Sequence, residues 1–313
     1  HSVLRECTRL LVPRIIYFVC NTFSKPMKMI DRLRKLNKMT TCLRLHLLFL
    51  IISSLVACVP PFAISQAEQL FSRANQRLVL ETDWAELASE INERTSGPVQ
   101  INRRVGPFML QRSDEESLKV IDADGNAVLK TTIADGRRWE GHSYDRAALV
   151  IGFDVPGGVL DPKKMYVLEW RGYLEQPLSE DAVVLVALQI HGQDTAVPPL
   201  AVMVRDGYVN FRDRHDPTGK EWYPAIKTEA MVNQSVSFKL TVRSSDTNGY
   251  IKFEVDEQVI TERQGGRTKN PGDWNYVKVA ELYDFSNTLV SPDSKEGRSY
   301  SLITEEIRVS ILE

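Results

Sequence analysis

Past residue 58 the chain has no cysteine: Cys7, Cys20, Cys42 and Cys58 all fall in an N-terminal leader. The body therefore has no disulfide, no thiolate metal site and no thiol nucleophile, and it must stand on packing alone. Histidine is nearly as scarce. Outside His1 and His46 there remain His142, His191 and His215, with no pair at ligand spacing on one element, so no metal site is expected. A Gly-rich phosphate loop, a His-Glu-x-x-His helix and a Gly-x-Ser-x-Gly elbow are all missing, which removes nucleotide chemistry and the serine-hydrolase elbow. Helical periodicity is confined to one stretch, Ala67 to Arg94, so βα-type folds are excluded as well.

Charge divides the chain. Residues 1–58 carry ten Lys and Arg against Glu6 and Asp31, a net of +8, and since the whole sums to −2 the rest carries −10. An uncharged, almost wholly apolar run from Leu45 to Ala57 follows Arg44, too short for a confident membrane span and well matched to the core of a secretion signal. It ends in Leu55-Val56-Ala57-Cys58, which resembles a bacterial lipoprotein signal with an acylated Cys. The chain opens on His1, with Met27, Met29 and Met39 ahead of the apolar run. The expected organisation is a leader or over-extended start over 1–38, a lipoprotein-type signal over 39–58, a tether with a short helix over 59–97, and one domain over 98–313. That predicts a secreted bacterial protein, periplasmic or anchored at the outer membrane, touching lipid only through Cys58.

The body reads as about a dozen short strands. Thr82-Asp83 before Trp84–Ile91, with Glu86 three residues on, is a capping-box start for the one helix. Ser117–Asp122 and Ala127–Ile133 flank Asp124-Gly125 as a hairpin. Further runs at Arg146–Val155, Met165–Leu174, Val183–His191, Leu200–Val204, Tyr208–Arg212, Ser235–Arg243, Tyr250–Val255, Trp274–Tyr283 and Ser299–Leu312 alternate with turn residues. The fold class this implies is all-β: a sandwich or jelly roll of antiparallel sheets.

The apolar run Val183–His191 turns polar at its end, where Gln189 and His191 share a face. Arg146 opens its strand, Tyr276 and Lys278 lie two apart on theirs, and Tyr283 follows. Arg, Gln, His and Tyr without a carboxylate pair suit β-elimination from a uronic acid. Arg and Gln hold the carboxylate and acidify C5–H, His or an ionised Tyr takes the proton, and a Tyr hydroxyl returns one to O4. Glycoside hydrolysis needs two placed carboxylates, and no strand carries them as Glu-x-Asp-x-x-Glu. A carbohydrate-binding sandwich without catalysis is the other alternative, with Trp139, Trp170, Trp222 and Trp274 as stacking platforms.

Gln189-Ile190-His191-Gly192, Pro198-Pro199-Leu200 and Arg205-Asp206-Gly207 together resemble the jelly-roll polysaccharide lyases, the group of alginate lyases, glucuronan lyases and heparin lyase I. Tyr276-Val-Lys278-Val-Ala-Glu-Leu-Tyr283 is similar to that group's late Tyr-Phe-Lys-x-Gly-x-Tyr strand, and Ser299–Val309 to its terminal strand. The resemblance implies a concanavalin-like β-jelly-roll sandwich of two antiparallel sheets and a lyase acting on alginate, glucuronan or a glycosaminoglycan. It implies Gln189 and Arg146 as carboxylate holders, His191 as base or neutraliser and Tyr283 as acid, with Tyr276 and Tyr144 in reserve. Lys278, Arg205 and His142 join Tyr276 and Tyr144 as substrate-binding residues. No cofactor and no nucleic-acid partner is expected; a calcium ion is left open. Two departures stand out. Ala148 replaces the Glu of the group's Arg-x-Glu-Leu strand, and Ala280-Glu281 stands where the group has a single Gly. An extra residue reverses every face beyond it unless a bulge absorbs it. The acidic body also repels a polyanion unless Arg146, Arg171, Arg205, Arg212, Arg214 and Lys278 gather in one cleft.

Overall fold

A computed structural model of the chain describes residues 76–93, 102–134, 146–152, 154–155, 158–178, 184–192, 198–283 and 299–313. These belong to the second of the two compact units into which the chain divides, Ala74–Glu313. The expected leader, signal and first part of the tether lie outside the described residues, as do His142, Tyr144 and Trp139. Among the described residues no helix is long and apolar enough to cross a membrane.

In chain order the strands are β1 (Gln76–Glu81), β2 (Asn102–Val105), β3 (Phe108–Arg112), β4 (Leu118–Ala123), β5 (Asn126–Ala134), β6 (Arg146–Ile151), β7 (Met165–Leu174) and β8 (Val184–Gly192). They continue with β9 (Leu200–Arg205), β10 (Tyr208–Asp213), β11 (Trp222–Lys227), β12 (Val236–Arg243), β13 (Tyr250–Val255), β14 (Gln258–Gln264), β15 (Asn275–Tyr283) and β16 (Ser299–Leu312). They form two eight-stranded sheets, one ordered β14-β13-β12-β7-β16-β5-β4 with β1 on β16, the other β11-β10-β9-β8-β15-β6-β3-β2. Every strand pairing is antiparallel, so the fold is the two-sheet jelly-roll sandwich expected.

Local chemistry accounts for much of this. The β4–β5 and β9–β10 hairpins turn at Asp124-Gly125 and Asp206-Gly207, all four residues with positive φ, as a two-residue turn matched to strand twist requires. The β13–β14 hairpin turns the same way at Asp256-Glu257 without a glycine, so the sequence carried no turn signal for β14. Strand β11 hid behind Pro224, which an edge strand tolerates. The helix α1 (Trp84–Ile91) is capped by Asp83, whose carboxylate accepts from the Glu86 amide at 3.1 Å. The helical reading of the residues before it is corrected: Gln76–Glu81 is a strand on the end of β16, a partner too distant in sequence for local periodicity to reveal.

Between the sheets the core is closed by stacked aromatics. Phe211 of one sheet meets Phe253 of the other at 4.8 Å, and Phe238 continues the stack to Trp170 at 5.2 Å. Burying each such ring contributes about 1.5–3 kcal/mol. Trp170 is therefore core, not a sugar platform, and its indole N–H is satisfied by Thr304 Oγ1 at 3.0 Å.

The extra residue of β15 is absorbed. Against β6 the register slips by one between Val279 and Leu282, so Ala280 and Glu281 together oppose Ala148. Strand β8 slips against β9 between Val186 and Gln189, and β8 and β15 thereby stay in unbroken register with each other. The uninterrupted alternation expected along β8 is thus broken before Gln189. Ala280 adopts φ 52°, a left-handed conformation costing a non-glycine residue about 1–2 kcal/mol. From the opposite sheet Thr131 Oγ1 donates to the Ala280 carbonyl at 3.0 Å and fixes the bulge. Thr131→Val keeps the shape and removes that donor, so it should lower unfolding stability by about 1–3 kcal/mol in chemical denaturation; an unchanged midpoint would show that the bulge holds without it.

Candidate active site

Ala147, Leu149 and Ile151 of β6, Ile190 of β8, and Val277, Val279, Ala280 and Leu282 of β15 all belong to the core. Alternation then puts Arg146, Ala148, Gln189, His191, Tyr276, Lys278 and, past the bulge, Glu281 on the opposite face of the same three adjacent strands. Tyr276 pairs with His191 and Lys278 with Gln189 across β15 and β8. Three strands therefore gather the imidazole, amide, phenol, ammonium and guanidinium that the sequence named separately.

The imidazole of His191 stacks on Tyr276 at 5.1 Å between centroids. Its Nδ1 lies 2.6 Å from the Gly192 carbonyl, which can only accept, so the ring proton sits on Nδ1 and Nε2 presents a lone pair. Burial lowers the His191 pKa, and the Lys278 and Arg146 cations lower it further against the Gly192 carbonyl and Glu281. It is neutral near pH 7. Tyr276 is pushed up to about 12, mainly by burial, and keeps its proton. Lys278, 4% exposed, is pushed down to about 8 by burial, with Arg146 adding to the fall and Glu281 opposing it. Its ammonium lies 5.8 Å from the Tyr276 ring.

Glu281 was missed as a site residue. It is 1% exposed and ion-paired to Arg146. Burial raises its pKa, but the Arg146 and Lys278 cations more than offset that and hold it below the ordinary carboxylate value. The one available signal was its being the residue in excess, which the sequence reading treated as a defect. Among the described residues Gln189 Oε1 and Glu281 Oε2 are buried without a hydrogen-bond donor. Such acceptors cost about 1–3 kcal/mol each unless a ligand supplies the donor.

Other expectations fare differently. Of Tyr283 the backbone is described: it lies opposite Arg146 and Val184. The phenol that the structure brings to His191 is Tyr276, the reserve residue. Arg205 sits toward the far edge of the sheet, its guanidinium 4.9 Å from the Trp222 ring, as is that of Arg212. Register joins the two ends: Lys278 pairs with Gln189, Gln189 with Ala201, Ala201 with Arg212 and Arg212 with Trp222. That row crosses four strand spacings, roughly 19 Å. Arg171 does not join it, being on the other sheet and paired with Glu305 and Glu306. A cavity of about 820 Å³ also lies on that other sheet, lined in part by Arg171, Tyr173 and Glu305, and holds none of the expected catalytic residues. Among the described residues no three His, Cys, Asp or Glu are grouped to hold a metal.

Lys278→Met should raise the His191 pKa toward its ordinary value by removing the nearest cation. Imidazole titration by NMR checks this; an unmoved midpoint would mean the ammonium points elsewhere.

No family model and no curated protein sequence matches the chain. Among solved structures it is similar to the alginate lyase AlgAT5 of polysaccharide lyase family 7, 17% identical over 64% of this chain and 84% of that one, with a TM-score of 0.45. It is similar to an alginate lyase of Pseudomonas aeruginosa at 18% identity, over 62% of this chain and 85% of that one, TM-score 0.44. It is also similar to an endo-β-1,4-glucuronan lyase of the fungus Trichoderma reesei, at 14% identity over 66% and 89% of the two chains, TM-score 0.44.

Proposed function

We propose that the chain is a polysaccharide lyase that cleaves a uronic-acid polymer by β-elimination. The observation that carries this is the juxtaposition of a neutral imidazole and a protonated phenol beside an amide and two cations on one sheet face. Gln189, Lys278 and Arg146 hold the uronate carboxylate and stabilise the charge that develops on it. His191 Nε2 removes the C5 proton, the C4–C5 double bond forms, and O4 leaves with a proton from Tyr276. Tyr276 takes this role as the phenol stacked on the base. The row out to Trp222 supplies a track longer than one sugar, where the guanidinium groups of Arg205 and Arg212, ion-paired to Asp206 and Glu221, flank the Trp222 ring. Glycoside hydrolysis is poorly served, since Glu281 is ion-paired with a lowered pKa, the reverse of a general acid. Export fits the same reading, with Cys58 as the lipid anchor at a bacterial envelope. The polymer is alginate, glucuronan or a glycosaminoglycan, and no cofactor is required.

Incubation with each polymer should release a product absorbing in the ultraviolet, from the new double bond conjugated with its carboxylate. Retention without product would make the chain a binding module, and reducing ends without absorbance would make it a hydrolase. Where product forms, His191→Asn and Tyr276→Phe should each lower kcat/KM by about 100-fold or more. The pH profile of kcat/KM should rise through a value below the ordinary histidine pKa, as His191 loses its proton, and fall above about 8, as Lys278 loses its own. An alkaline limb unchanged in Lys278→Met would remove Lys278 from the site.

A further inference from the structure

We infer that Glu281 is a positioning residue for the reaction, fixing the Arg146 guanidinium toward a bound uronate carboxylate from the neighbouring strand. The inference rests on the lyase reading above and goes beyond it in assigning a role to the residue that lengthens β15.

Geometry comes first. On β6 the residue two after Arg146, on the same face, is Ala148, which offers no acceptor. The slip between Val279 and Leu282 sets Ala280 and Glu281 together against that alanine. Ala280 takes the core side and Glu281 the opposite face, where one carboxylate oxygen engages Arg146. Without the bulge Glu281 would alternate into the core, where an unpaired charge is not tolerated. Its other oxygen, Oε2, is buried without a donor among the described residues.

Charge makes the arrangement more than a staple. The groups facing Glu281 are Arg146 on β6, Gln189 and His191 on β8, and Tyr276 and Lys278 on its own strand. With the imidazole neutral and the phenol protonated, the charges described around Glu281 are the Arg146 and Lys278 cations, and a second buried carboxylate, Asp273, acts on Tyr276. Ion pairs this buried are a weak source of stability, and an apolar pair of the same volume would fold as well. A guanidinium held by one carboxylate while it binds another is instead what preorganised recognition asks for.

The test is E281Q, nearly isosteric, assayed on whichever uronate polymer the wild type cleaves, beside E281A and the double variant A148E/E281A. E281Q should lower kcat/KM by about 100-fold, the loss expected when a binding group is misplaced by about 1 Å. Its alkaline limb should also move to lower pH, because Lys278 loses the one anion that raises its pKa. Directly opposed positions on neighbouring strands have Cβ atoms about 5 Å apart, so the double variant returns a carboxylate to Arg146 from β6. It should recover about tenfold or more over E281A. A purely structural role would move melting temperature and leave the alkaline limb in place. The inference is overturned if E281Q keeps the wild-type kcat/KM and alkaline limb, or if a folded A148E/E281A is no better than E281A. Should E281Q fail to fold, the comparison of those two alanine-based variants decides. A wild type that yields no unsaturated product overturns the lyase reading itself, and an active wild type with an indifferent E281Q overturns this inference alone.

Discussion

Two cations, Arg146 and Lys278, are withdrawn from water on one face of a sheet whose other face is core, and the Glu281 carboxylate offsets them. Taking a charge out of water costs several kcal/mol even after relaxation. Lys278 shows the strain directly in an ammonium pushed down to about 8. His191 lies within the same field, and the cations that lower its pKa also keep it a base near neutral pH.

That balance is bought with backbone geometry. A carboxylate on β15 reaches Arg146 only because Ala280 accepts a left-handed conformation, pinned by Thr131 from the opposite sheet. A bulge in one strand alone would have moved Gln189 and His191 out of step with Lys278 and Tyr276. The matching slip in β8 against β9 keeps the two central strands together, so the irregularity is displaced to β6 on one side and β9 on the other. The stacked Trp170, Phe238, Phe253 and Phe211 close the core between β10 of the site's sheet and β7, β12 and β13 of the other.

An acidic protein can still present a local path for a polyanion. Arg146 and Lys278 lie at one end of the row across the second sheet, and Arg212 and Arg205 flank Trp222 at the other. Arg205 and Arg212 are themselves ion-paired, to Asp206 and Glu221, as Arg171 is to Glu305 and Glu306 on the far sheet. Net charge therefore says little here, because the register of six strands decides which side of the molecule each guanidinium faces.

Composition and turn chemistry determined the all-β class, the Asp-Gly hairpins, the capped helix and most strand limits, because alternation and positive-φ turns are local properties written in a few adjacent residues. The pairing of Gln189 with His191 was legible for the same reason, both lying on one short run of β8. What required the tertiary structure were contacts between distant segments: β1 against β16, Trp170 in the core, Arg171 away from the cleft, and Tyr276 as the phenol on His191. Most of all, the missing Glu of β6 and the surplus residue of β15 read in the sequence as two separate defects. They resolve into one ion pair only when the strands lie side by side, since register between strands is set by the packed core behind them and by no residue alone.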